Sequence, residues 1–105
     1  MTDITVSELK TWMDQKKDFQ LIDIREEHEF EAANIGGENI PMDTLLEQPE
    51  LISKELPVVL YCRSGSRSNV IIRQLEANQG FSNLLNLKGG ILAWSKEIDP
   101  DISVS

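Results

Sequence analysis

The chain is short of several residue types, and each shortage excludes something. It has one cysteine in 105 residues, so no intramolecular disulfide can form. It has one histidine, which leaves no Cys/His cluster of the zinc type. Cationic residues are few: 10 Lys and Arg against 18 Asp and Glu, a formal charge of −8. That balance argues against nucleic acid or an anionic membrane as partner, since both require a basic patch. Long apolar runs are missing too. The longest, Val58-Val59-Leu60-Tyr61, is far too short to span a bilayer. The opening residues Met1-Thr2-Asp3-Ile4-Thr5 lack the basic and apolar regions of a secretory leader. The expected location is therefore the cytoplasm, where a lone thiol stays reduced.

What remains is ordinary globular composition, 40% hydrophobic and 27% charged, and a length that suits one domain over residues 1–105. Short apolar runs alternate with helical patterns. Asp3-Ile4-Thr5 reads as a first strand. Ser7 reads as the N-cap of a helix with Leu9, Trp12 and Met13 on one face. Phe19 to Ile24 reads as a buried strand. An acidic helix over Glu26 to Ala33 turns Phe30 inward and stops at Gly36-Gly37. Asn39-Ile40-Pro41 is a short strand, and a helical stretch runs from Met42 to Leu46. Pro57 to Tyr61 suits a strand covered on both faces of a parallel sheet. A helix follows over Asn69 to Asn78, with Val70, Ile71, Ile72, Leu75 and Ala77 as its apolar positions and Gly80 as its stop. Asn83 to Leu87 is the last strand. Gly89-Gly90 turns the chain into a final helix over Ile91 to Ile98, with Trp94 in the core. The alternation predicts an α/β fold with a mainly parallel sheet flanked by helices.

In such a sheet ligands sit at the carboxyl ends of the strands, and Cys62 occupies that end of the central strand. The residues after it, Arg63-Ser64-Gly65-Ser66-Arg67-Ser68, are small or cationic and lead into a helix. Converging backbone N–H groups, a helix N-terminus and two arginines form an anion-binding cradle. Such surroundings lower a thiol pKa from its ordinary value of about 8.5 and favour the nucleophilic thiolate. Three serines can donate hydroxyl bonds to the same centre. An inert, packed cysteine is the competing reading, but packing does not call for this polar neighbourhood. His28 lies among Glu26, Glu27 and Glu29 and reads as solvated helix surface, so the site has no imidazole base. Thiolate attack on sulfane sulfur fits that lack; amide hydrolysis does not. No metal or cofactor is implied. Asp23 and Arg25, at the end of another strand, read as a structural ion pair rather than as lining for the site.

Three segments carry a resemblance. Asp23-Ile24-Arg25-Glu26 with Glu29-Phe30, then Cys62 to Ser68, then Leu87-Lys88-Gly89-Gly90-Ile91 with Ala93-Trp94, together resemble a single rhodanese-like domain. The resemblance implies a three-layer sandwich. It also implies a sulfurtransferase in which Cys62 accepts sulfur as a persulfide, cradled by Arg63, Ser64, Gly65, Ser66, Arg67 and Ser68. Donor and acceptor would be small sulfur compounds, or a sulfur-carrier protein or cysteine desulfurase. The ending Ala93 to Pro100 is similar to rhodanese domains attached to adenylating enzymes of molybdopterin and thiamine biosynthesis. One departure stands out: Ala33-Asn34-Ile35-Gly36-Gly37 replaces the family's Gly-His-Ile-Pro-Gly, with Asn34 left to hydrogen-bond the turn. Two alternatives remain at this point. A non-catalytic interaction module would keep the fold. A cysteine phosphatase or arsenate reductase would need arginine six positions after cysteine, where this chain has Ser68.

Overall fold

The computed structural model describes residues 2–104. Among these residues five strands form one sheet: β1 (Thr2–Ile4), β2 (Gln20–Asp23), β3 (Glu38–Asn39), β4 (Val58–Tyr61) and β5 (Leu84–Leu87). Their order is β1-β5-β4-β2-β3, and every pairing is parallel. The connecting helices are α1 (Val6–Asp14), α2 (Glu27–Ala32), α3 (Met42–Glu47), α4 (Ser66–Gln79) and α5 (Gly90–Glu97), with a 3-10 turn at Pro49–Leu51. No helix among the described residues is long and apolar enough to cross a membrane.

The central strand shows why the sheet is covered twice. Alternate residues of a strand point to opposite faces. On β4, Val58 and Leu60 join one core with Ile71, Ile72 and Leu75 of α4 and Leu45 of α3. Val59 and Tyr61 join the other with Val6 and Leu9 of α1 and Ile91 and Trp94 of α5. The result is a three-layer α/β/α sandwich.

Several local expectations need correction. The N-cap of α1 is Thr5, not Ser7. Thr5 Oγ1 accepts the Glu8 N–H at 3.1 Å, and Glu8 Oε1 accepts the Thr5 N–H at 2.9 Å. This reciprocal box requires Glu three residues after the cap, and Ser7 has Lys10 there instead. Helix α2 ends at Ala32, with Ala33 already extended, before the two glycines. Phe30 is half-buried and belongs to neither core, because α2 lies at the edge and buries no residue. The third strand is Glu38–Asn39 rather than 39–41. Helix α4 begins at Ser66, three residues earlier than expected. Its buried stripe is Ser68, Ile71, Ile72 and Leu75, while Val70 is 55% exposed and Ala77 faces solvent. The stripe runs i, i+3, i+4, i+7 from a serine, so hydrophobicity alone misses its first member.

The turn that departs from the family pattern is held from three sides. Asn34 Nδ2 donates to the Phe30 carbonyl at 3.0 Å, and Asn34 Oδ1 accepts the Gly36 N–H at 2.8 Å. The Tyr61 hydroxyl donates to the Gly36 carbonyl at 3.1 Å. Arg25 Nη2 donates to the Ala33 carbonyl at 2.7 Å. Gly37, at φ +83°, could not carry a side chain, since a Cβ would lie 2.5 Å from the Leu21 carbonyl oxygen.

Candidate active site

Cys62 follows the last residue of the central strand, and its sulfur lies on the α4 side of the sheet. Gly65 turns the chain at φ +98°, a left-handed conformation that suits glycine, and caps α4. The turn aims the Gly65 N–H at the sulfur, N to Sγ 3.1 Å. Ser68, in the first turn of α4, places its hydroxyl 3.5 Å from the same sulfur. The sulfur thus sits at the positive end of a 14-residue helix. It is also sealed: Cys62 has 0% exposure, whereas the next two residues, Arg63 and Ser64, are exposed.

The predicted cradle is brought together in part. Gly65 and Ser68 reach the sulfur, as described. Ser64 and Ser66 instead pair with each other, Oγ to Oγ 3.3 Å. Arg67 is not an open cation. Its Nη1 and Nη2 donate to Glu29 Oε1 and Oε2 at 3.1 and 3.2 Å, a two-pronged ion pair across to α2. The Arg67 bond holds the Glu29 carboxyl below its ordinary range, and Glu29 in turn raises the Arg67 guanidinium. Arg63 stands exposed at the rim.

Asp23 and Arg25 form the expected ion pair, and it is buried, with side-chain exposures of 0% and 3%. Arg25 Nε donates to Asp23 Oδ1 at 3.0 Å and Nη2 to Oδ2 at 2.7 Å. Burial works against the Arg25 charge. The Asp23 bonds and charge outweigh it and hold the guanidinium above its ordinary value. The guanidinium also lies 5.8 Å from the centre of the Tyr61 ring. His28 is exposed, as expected.

Two residues behind the site have roles there that the sequence did not assign, Asn86 unremarked and Gly90 read only as a turn. Asn86 of β5 is 5% exposed, and its Oδ1 accepts a hydrogen bond from the Ser68 hydroxyl. A polar residue inside an apolar strand was the available signal. Gly90 opens α5 at φ +58°, pressed on the cysteine loop. A Cβ there would lie 2.4 Å from the Cys62 carbonyl oxygen and 2.5 Å from that of Arg63. This closeness lets the next two N–H groups of α5 find partners. Ile91 donates to the Cys62 carbonyl and Leu92 to the Arg63 carbonyl, each at 3.0 Å. First-turn helix donors have no partner within their own helix, so the loop satisfies them and is fixed by them.

An open hollow bounded by Phe19, Gln20, Glu38, Leu51, Ser53 and Leu56 lies at the amino ends of the strands. Cys62 is not among the residues that line it, so its size does not make it the site.

Residues 5–97 match the rhodanese-like domain family. The chain is 34% identical over 102 residues to the probable adenylyltransferase/sulfurtransferase MoeZ of Mycobacterium tuberculosis. That match covers 94% of this chain but only 26% of MoeZ. It is 41% identical over 80 residues to the uncharacterized protein YqhL of Bacillus subtilis, covering 75% of this chain and 63% of that one. The crystal structure of a rhodanese-like domain protein from Staphylococcus aureus superposes with a TM-score of 0.81 at 29% identity, covering 100% and 99% of the two chains. Since the match runs from the cap of α1 to the last residue of α5, the chain belongs to the rhodanese-like domain family.

Proposed function

We propose that this domain is a sulfurtransferase that carries sulfane sulfur on Cys62. The observation that supports it most directly is the Gly65 N–H directed at the sulfur, at the head of α4. A thiolate there attacks the outer sulfur of a donor such as thiosulfate. The Cys62–sulfur bond forms, the donor's sulfur–sulfur bond breaks, and sulfite leaves with the bonding pair. The negative charge passes to the terminal persulfide sulfur, within the field of the same helix end. A thiophilic acceptor, cyanide or a thiol, then takes that sulfur and returns the thiolate. No leaving group needs a proton in the first step, which suits a site whose neighbours include no histidine.

Cys62 has 0% exposure, so a donor reaches the sulfur only after its surroundings move, and Arg63 and Ser64 are the exposed residues of the same loop. Gly65 is the natural pivot, being the left-handed glycine between them and the helix. The relatives named as adenylyltransferase and sulfurtransferase are much longer chains that include a segment matching this one. They support a sulfur-carrier protein or cysteine desulfurase as exchange partner.

The sealed sulfur also favours a second reading, a non-catalytic interaction module in which Cys62 is packing. One experiment separates them: intact mass after incubation with thiosulfate or a low-molecular-weight persulfide. The expected result is a gain of one sulfur atom, removed by dithiothreitol and absent in Cys62→Ser. No adduct with any donor would leave the interaction module.

A further inference from the structure

We infer that Glu29 sets the charge preference of the donor site, biasing it toward sulfane donors of low charge and against dianions such as thiosulfate. The inference rests on the sulfurtransferase reading of Cys62 and names the donor class for that same site.

Arg67 is the cation that the helix brings to the cysteine loop, in the first turn of α4 next to Ser68 and within electrostatic reach of Cys62. Left alone it would present a full positive charge to an incoming anion. Instead both of its terminal nitrogens are taken by the two oxygens of Glu29, at 3.1 and 3.2 Å. A fork-to-fork pair of this kind fixes direction as well as charge. The carboxylate is itself anchored, because Glu29 Oε1 also accepts the Glu26 N–H at 3.1 Å in the cap of α2. Arg25 is committed to buried Asp23, and Arg63 stands exposed at the rim of the loop. The Arg67 charge beside the site is thus cancelled by a carboxylate. The protein around it carries −8 overall. A dianion therefore gains less from Arg67 than an open guanidinium would give, and it loses its hydration; a donor with one charge or none loses less.

Thiosulfate and methanethiosulfonate make a suitable pair of probes. Both deliver an outer sulfur to a thiolate, and they release sulfite and methanesulfinate respectively. They differ by an oxygen against a methyl group, and by one unit of charge. With cyanide as acceptor, the wild type is expected to show the higher kcat/KM with methanethiosulfonate. Glu29→Gln removes one negative charge beside the donor and should raise kcat/KM for thiosulfate by about five- to tenfold, mainly through KM. The monoanion should gain much less. Glu29→Ala should act in the same direction, and Glu29→Asp, which keeps the charge, should retain the wild-type preference. Thermal unfolding of each variant checks that it is folded. Sulfur transfer with an unchanged ratio of the two donors, or an equal gain with both, would overturn the inference alone. No sulfur adduct from either donor, in wild type and variants alike, would overturn the sulfurtransferase reading and the inference with it.

Discussion

Arg25 and Asp23 show what a single side chain costs when its partner is taken away. The pair is almost wholly out of water, and it ties the end of β2 to the turn after α2 through the Ala33 carbonyl. Removing one partner of a buried pair leaves the other charge uncompensated and typically costs about 3–5 kcal/mol. Asp23→Ala should therefore lower the urea unfolding midpoint by an amount corresponding to that range. Replacing both, as Asp23→Leu with Arg25→Met, should recover much of the loss. If the single variant unfolds like the wild type, the pair is not the anchor described here. Both residues were visible in the sequence as a strand-end couple, since Asp-x-Arg at the end of an apolar run invites an ion pair. The pairing of Arg67 with Glu29 was not visible. It joins residues 38 positions apart, and nothing local in either segment specifies the other. A loop arginine was read as an open cation because its partner comes from a helix that folds against it only in three dimensions.

Helices and strands were legible to the degree that their signals are local. The continuous run Val58 to Tyr61 announced the central strand, and Gly80, at φ +71°, stopped α4 as expected. The start of α4 was misplaced because Ser66, Arg67 and Ser68 look like loop residues. They are helical because Gly65 turns the chain early, which brings Ser68 under the sulfur. The role of α5 was hidden for a different reason. Its Gly-Gly opening reads as a turn, yet Gly90 exists so that two N–H groups can reach the carbonyls of Cys62 and Arg63. This contact gives a prediction at the level of the element. Gly90→Ala must strain a positive φ and displace the cysteine loop. Gly36→Ala, at φ +94° with nothing within 4 Å of a Cβ, strains only the backbone. Each backbone strain is worth about 1–3 kcal/mol. Gly90→Ala should therefore destabilise more in thermal unfolding, and should slow sulfur loading of Cys62 among molecules that remain folded. Gly36→Ala should leave loading unchanged. Equal loading by both variants would show that α5 does not position the cysteine loop.

The whole molecule is a sheet with a separate core on each face, and β4 contributes to both. Such an arrangement could melt in two stages or in one. The strand geometry favours one. Val58 and Leu60 cannot leave their core while Val59 and Tyr61 stay in theirs, since all four share one backbone with partners on β2 and β5. Small domains generally unfold in this all-or-none way. The tryptophans make the point testable, because Trp94 lies in the α1/α5 core and Trp12 packs against it. Fluorescence therefore watches one face of the sheet, while far-UV circular dichroism watches every element. Leu75, 1% exposed, lies in the opposite core under α4. Leu75→Ala opens a cavity that typically costs about 2–5 kcal/mol. If the sheet couples the two faces, that variant should shift the fluorescence midpoint in urea as far as the dichroism midpoint. Leu9→Ala, in the tryptophan core, should do the same. A fluorescence midpoint that stays at the wild-type value in Leu75→Ala while dichroism falls would mean that the two cores unfold separately. In that case the α4 side, which holds the Cys62 sulfur, could open on its own. The sealed thiol would then have a route to solvent through partial unfolding of that core rather than through movement of the cysteine loop about Gly65.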